Sequence, residues 1–137
     1  MAQFRRYDDV AAGDVFPETP LRFDITAERV QAFLAATGNT DPAYGPGTGR
    51  APSMIASVYL IDVLRARASP PGGIHAKQSV RFHRSVAVGQ TLLIQARVVE
   101  KFVRKDRPYV VSDFEARDED GALVSSGRIT SIWGKDP

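Results

Sequence analysis

The sequence predicts an α+β protein in which one curved antiparallel sheet wraps a single central helix. Residues 53–68, SMIASVYLIDVLRARA, read as one helix that is apolar on nearly every side, since nine of the eleven residues from 54 to 64 are apolar. Such a helix must be enclosed by a core or a membrane, and eleven residues fall well short of the roughly 20 that span a bilayer. The roughly sixty residues that follow supply the wrapper: they alternate, are rich in β-branched side chains, carry turn signals and hold no second helix of that kind. A sheet this small rarely covers a helix on every side, so a second copy or a similar chain is expected to complete the enclosure.

Length and composition agree. The 137 residues suffice for one domain, taken as residues 1–137, with a core that needs no staples. With 43% hydrophobic and 25% charged residues the chain is ordinary for a globular protein. The absence of cysteine excludes disulfides, thiol nucleophiles and cysteine-based metal sites. A net charge of +2, with basic residues scattered, gives no stripe of the kind that nucleic-acid binders carry. The arginine pair near the start has no apolar segment behind it, so no secretory or twin-arginine signal is read. The expectation is a cytoplasmic protein with no nucleic acid, membrane, metal or cofactor among its partners.

Residues 1–19 show no sustained period and read as a lead-in tacked down by Tyr7, Val10, Val15 and Phe16. Leu21, Phe23 and Ile25 alternate with polar residues as a short strand. Thr26 is placed as the N-cap and Gly38 as the C′ stop of a helix, Ala27–Thr37, with Ala27, Val30, Phe33 and Leu34 on one face. Residues 38–52, GNTDPAYGPGTGRAP, are too rich in glycine and proline for a helix and form a loop long enough to suggest function. Ser53 then caps the central helix. Four strands follow as a meander, at residues 74–84, Thr91–Arg104, 109–117 and 122–133. Turns are placed at Val88-Gly89-Gln90, at Asp106-Arg107-Pro108 and at the Asp-Gly of residues 118–121. Tyr59, Phe82, Phe102, Phe114 and Trp133 read as core or interface packing.

This order is that of a hotdog fold, a helix as the sausage and a curved sheet as the bun. Three stretches, YDDVAAGDVF, GNTDPAY and GGIHAKQSVRFHRSVAVGQTL, resemble the MaoC-like (R)-specific enoyl-thioester hydratases and dehydratases, and the resemblance covers nearly the whole chain. It implies an acyl thioester of coenzyme A or of a carrier protein as ligand, and a homodimer or a heterodimer with a similar chain. The family's loop carries Asp-x-Asn-Pro-aliphatic-His. Hydration of an enoyl thioester needs a base for water, an acid for the α-carbon and a donor for the thioester carbonyl. The family's Asp and His supply the first two, and a backbone N–H at the start of the central helix supplies the third.

The chain departs from that motif at both proton-transferring positions. Asn39 stands for the Asp, Asp41 for the Asn, Pro42 matches, Ala43 takes the aliphatic place, and Tyr44 replaces the His. Asparagine has no titratable proton, and a tyrosine hydroxyl is chiefly a hydrogen-bond donor at neutral pH. Only eight residues, 45–52, separate Tyr44 from Ser53, where family members carry a longer overhang.

The resemblance therefore marks Asn39, Asp41, Tyr44 and the Ser53 backbone N–H as the catalytic location, with Arg50, Pro52, Met54, His75 and Gln78 around the substrate. Read without it, Asn39 and Asp41 are ordinary turn residues after a glycine cap, and Arg50, Lys77, Arg81 and Arg84 are solvated charges as readily as phosphate partners. His75 and His83 are eight apart, an even spacing that puts both on one strand face, but without a third ligand they make no metal site. Three functions stay open: a hydratase or dehydratase, a non-catalytic subunit whose partner carries the intact Asp/His loop, and a thioesterase using Asp41 as base.

Overall fold

The computed structural model describes residues 3–58 and 60–135. Its main sheet has five strands in the order β1-β5-β6-β7-β3, all neighbours antiparallel: β1 (Val15–Asp24), β3 (Ile74–Phe82), β5 (Thr91–Arg104), β6 (Arg107–Arg117) and β7 (Leu123–Ile132). The hotdog architecture read from the sequence is therefore present. The meander is not, in its first step. Strands β5, β6 and β7 follow one another, but β3 pairs with β7, the last strand, and not with β5. Alternation sets which face of a strand is buried; it carries nothing about which edge a strand joins.

Strand β1 is also longer than expected, since part of the lead-in belongs to it. Between Phe16 and Leu21 its register against β5 shifts, and Gln95 Nε2 donates to the freed carbonyls of Pro17 and Glu18 at 2.9 and 3.1 Å. Two prolines hide the alternation there, and they are tolerated because β1 is an edge strand. Helix α1 (Ala27–Thr37) matches its prediction at both ends: Thr26 Oγ1 accepts from the Arg29 N–H at 3.1 Å, and Gly38 adopts φ 67°.

The central helix needs two corrections. Residues Ser53–Ser57 form a 3-10 turn, and the α-helix proper, α2, is Leu60–Ala66. Its cap is Pro52, and Ser53 makes no side-chain capping bond. Ser57 Oγ donates back to the Met54 carbonyl at 2.7 Å, while Ile55 and Val58 donate three residues back, to Pro52 and Ile55. That local competition favours the tighter turn. The helix is also not wrapped on every side. Ile55, Ala56, Leu60 and Val63 are buried, but Met54, Val58 and Ile61, spaced i, i+4, i+7, are 53%, 44% and 61% exposed. Five strands cover one side of the helix and leave an apolar stripe on the other.

The remaining aromatic readings divide. Phe114 and Trp133 are core, at 1% and 2% exposure, whereas Phe82 and Phe102 are half-buried, Phe102 stacking on Tyr109 at 4.9 Å. Tyr59 lies outside the described residues. The turn placed at residues 106–108 falls one residue earlier, with Lys105 and Asp106 both at positive φ and Arg104 opposite Arg107, the two-residue hairpin geometry. A two-stranded piece, β2 (Arg50–Ala51) on β4 (Val86–Ala87), had no sequence signal. It ties the glycine-rich loop to the turn before β5, and Val88 adds an N–H bond to Gly49 at 2.9 Å.

Candidate functional site

The loop after α1 is built by its own side chains. Asn39 Oδ1 accepts from the Asp41 N–H at 3.0 Å, and Asp41 Oδ1 accepts from the Ala43 N–H at 2.9 Å, capping the short 3-10 turn Pro42–Tyr44. One oxygen of each side chain is thus held in consecutive Asx turns, the mundane role open to these residue types. Tyr44 is half-buried against the core, and its carbonyl accepts from Gln31 Nε2 at 3.3 Å. Its hydroxyl makes no hydrogen bond among the described residues.

Tyr44 and Arg50 come together in a groove of about 280 Å³ between α1 and the loop, with Val30, Gln31, Pro46 and Val88 among its other walls. Gln31 lines this groove without any signal in the sequence, because a glutamine on an exposed helical face reads as solvated. Asn39, Asp41, Pro52, Ser53, Met54, His75 and Gln78 do not line this groove. Pro52 is buried, Ser53 half-buried and Met54 exposed at the start of the central helix. The Ser53 N–H has no backbone acceptor among the described residues. Any donor role rests on that free N–H, since a five-residue turn carries little macrodipole.

His75 and Gln78 lie exposed on β3, away from the loop groove. The even spacing of His75 and His83 misleads. A register shift between His75 and Lys77 breaks the alternation. His75 sits opposite Ser131, while His83 Nε2 lies 2.8 Å from Ser126 Oγ. Ser126 and Ser131 are an odd number of residues apart on a strand without a bulge there, so the two histidines are on opposite faces. Among the described residues no three His, Asp or Glu side chains gather as metal ligands, and no helix is long and apolar enough to cross a membrane.

A helix laid on one side of a sheet ordered β1-β5-β6-β7-β3, with a polar loop before it, can be compared with known proteins. The family model described as "FAS1-like, dehydratase domain region" matches residues 10–126. The chain belongs to this dehydratase-region family. Solved structures share its fold. The unliganded R-hydratase PhaJ1 from Pseudomonas aeruginosa superposes with a TM-score of 0.80 at 19% identity, over 95% of this chain and 86% of that one. The (R)-hydratase from A. caviae involved in PHA biosynthesis gives 0.73 at 21% identity, over 93% and 98%. The C-terminally truncated HadBC (3R)-hydroxyacyl-ACP dehydratase complex from Mycobacterium tuberculosis gives 0.72 at 20%, over 90% and 96%. No curated protein sequence matches the chain. The resemblance to MaoC-like hydratases and dehydratases read from the sequence thus holds for family and fold.

Proposed function

We propose that this dehydratase-region chain binds an acyl thioester of coenzyme A or a carrier protein and shapes the acyl site of an assembly, with proton transfer supplied by a similar chain that keeps the Asp/His loop. The observation that carries this is the state of the loop. Hydration puts the oxygen of water on the β-carbon and a proton on the α-carbon, and so needs a base and an acid. At the family's two positions this chain has Asn39, whose oxygen is held in a turn, and Tyr44, packed on the core. The one carboxylate of the loop, Asp41, caps a turn, which also disfavours the thioesterase reading.

Two features support a partner. Strand β3 is a free edge without proline, seven of its nine residues exposed, whereas the other edge, β1, is blunted by Pro17 and Pro20. The exposed Met54 and Val58 at the start of the central helix are the second. HadBC is itself a complex by name. In this reading residues 1–137 act as one cytoplasmic domain, with Ser53 offering its free N–H to the thioester carbonyl and Arg50, Pro52 and Met54 bordering the ligand, while His75 and Gln78, away from the loop groove on the β3 edge, face the partner.

The test is to add a short trans-2-enoyl-CoA to the purified chain and follow both binding, by calorimetry, and loss of the enoyl absorbance. Binding without hydration is expected. Turnover by the chain alone near the ordinary enzymatic rate of about 10 s⁻¹ overturns the non-catalytic assignment, and absence of binding overturns the thioester reading.

A further inference from the structure

Arg67, in the turn that ends α2, is only 9% exposed. Its Nη1 donates to Ser131 Oγ at 2.8 Å, and its guanidinium lies 5.2 Å from the centre of the Trp133 ring. Its Nε is buried with no hydrogen-bond partner, and Nη2 makes no hydrogen bond among the described residues. None of the ion pairs of the described residues involves it. Burying a guanidinium without a counter-charge is costly, and such a group calls for an anion. Nε and Nη2 carry the side-on pair of parallel N–H groups that a carboxylate takes in bidentate form. Of that pair Nε is closed off by the protein, so an anion would reach the charge at Nη2.

A groove of about 460 Å³ opens beside it, lined by Phe4, Ile61, Leu64, Arg65, Arg67, Ala68 and Ser69. That volume is in the range of small-molecule sites. Among the described residues no acidic side chain lines it. Arg65 already has a carboxylate, Asp62 at 3.6 Å, and Ser69 Oγ is engaged by the Gly134 N–H and the Pro70 carbonyl. One unpaired cation among apolar walls fits a monoanion with an alkyl chain better than a phosphate, which needs more donors and no apolar wall. Ser53 is at the other end of the helix, fourteen residues away, roughly 20 Å at 1.5 Å per residue.

We infer that this groove is a second binding site, taking a free fatty acid with its carboxylate at the free Nη2 of Arg67 and its chain along Ile61, Leu64 and Phe4. The site does not depend on the thioester reading of the loop, and its test reads binding alone.

Trp133 is the only tryptophan of the chain, and it stacks on Arg67, so its fluorescence reports arrival at the site. The purified full chain is titrated with octanoate, with octanol and with inorganic phosphate. The expected result is a saturable change with octanoate alone. Affinity should fall by about tenfold or more in Arg67→Met, as loss of a charge-assisted bond implies. Ile61→Glu should weaken it similarly by setting a negative charge in the wall. Ile61 is 61% exposed, so that variant keeps its fold and carries the test even where Arg67→Met is misfolded. No saturable response to octanoate, equal binding of octanol, equal binding of phosphate, or unchanged affinity in a folded variant each overturns the proposal.

Discussion

The guanidinium of Arg67 lies 5.2 Å from the ring centre of Trp133, with no carboxylate paired to it among the described residues. The indole Nε1 of Trp133 donates in turn to the Arg5 carbonyl at 2.8 Å. The aromatic face that carries the cation is thus tied to the N-terminal segment. Burial lowers the Arg67 guanidinium from its usual range to about 10.

Removing that charge should stabilise the unliganded protein. The folded-state pKa is depressed, so as pH rises above about 10 the unfolded chain holds more protons and stability from this group rises with pH. Below about pH 10 both states are charged and the whole cost is present, of order 3 kcal/mol at 1.36 kcal/mol per unit. The stacking on Trp133 and the bond to Ser131 offset much of it. Arg67→Met is expected to gain about 1 kcal/mol, or about 3 °C in Tm, at neutral pH, with the gap to the wild type closing in alkali. A folded variant that loses more than about 1 kcal/mol in urea titration would show that Arg67 is chiefly a packing element.

Acid should loosen the N-terminal segment at one carboxylate. Asp14 Oδ2 accepts from the Ala11 N–H at 2.9 Å and from Arg5 Nη2 at 2.5 Å. The backbone bond first, and Arg5 second, hold its carboxyl below the usual 3.8. A depressed carboxyl pKa means stability that is present above about pH 4 and is lost as pH falls through the folded-state value. Asp14→Asn should therefore melt below the wild type at pH 7 and together with it near pH 2. A gap that persists undiminished at pH 2 would assign the effect to something other than ionisation.

Local chemistry explains what could be read in advance. Thr26 and Gly38 fix α1 because a capping hydroxyl and a left-handed glycine act within a few residues. The β6 to β7 hairpin was legible for the same reason, with Asp118 accepting from the Asp120 and Ala122 N–H groups. Pairing of β3 with β7, the β2 to β4 tie and the open face of the helix depend on contacts between distant residues, and no local pattern encodes them. In the candidate site, the loop is marked by its resemblance to a family motif. The sequence held no sign that Asn39 and Asp41 bond their own backbone, or that Arg67, an ordinary charge near a helix end, is buried unpaired.

Gly127 is the point on β7 where a side chain is least tolerated. A Cβ there would strike the Ser79 carbonyl of β3 and come within 2.7 Å of the Phe114 ring. The ring can move; the carbonyl belongs to the strand pairing and cannot. Gly127→Ala is expected to cost about 3 kcal/mol, toward the upper end of overpacking effects. Adding Phe114→Leu should not restore it, because the clash with Ser79 remains. Unfolding in urea decides between the two contacts: rescue by the second substitution would place the strain at the ring.

The loop itself can be asked whether it still holds the place of an active site. Asn39 uses only its Oδ1, as acceptor from the Asp41 N–H, and an aspartate offers the same acceptor, so Asn39→Asp keeps the turn. Tyr44 is half-buried, and histidine in its place loses some packing but restores a group that can give and take a proton near neutral pH. The double variant, Asn39→Asp with Tyr44→His, should hydrate a short trans-2-enoyl-CoA at least about 10²-fold faster than the parent, the usual contribution of one general acid or base. Each single variant should gain far less, because a base without its acid leaves the α-carbon unprotonated. A folded double variant with the parent's rate would mean that these two side chains do not face a bound thioester, and the acyl site would have to be sought elsewhere on the chain.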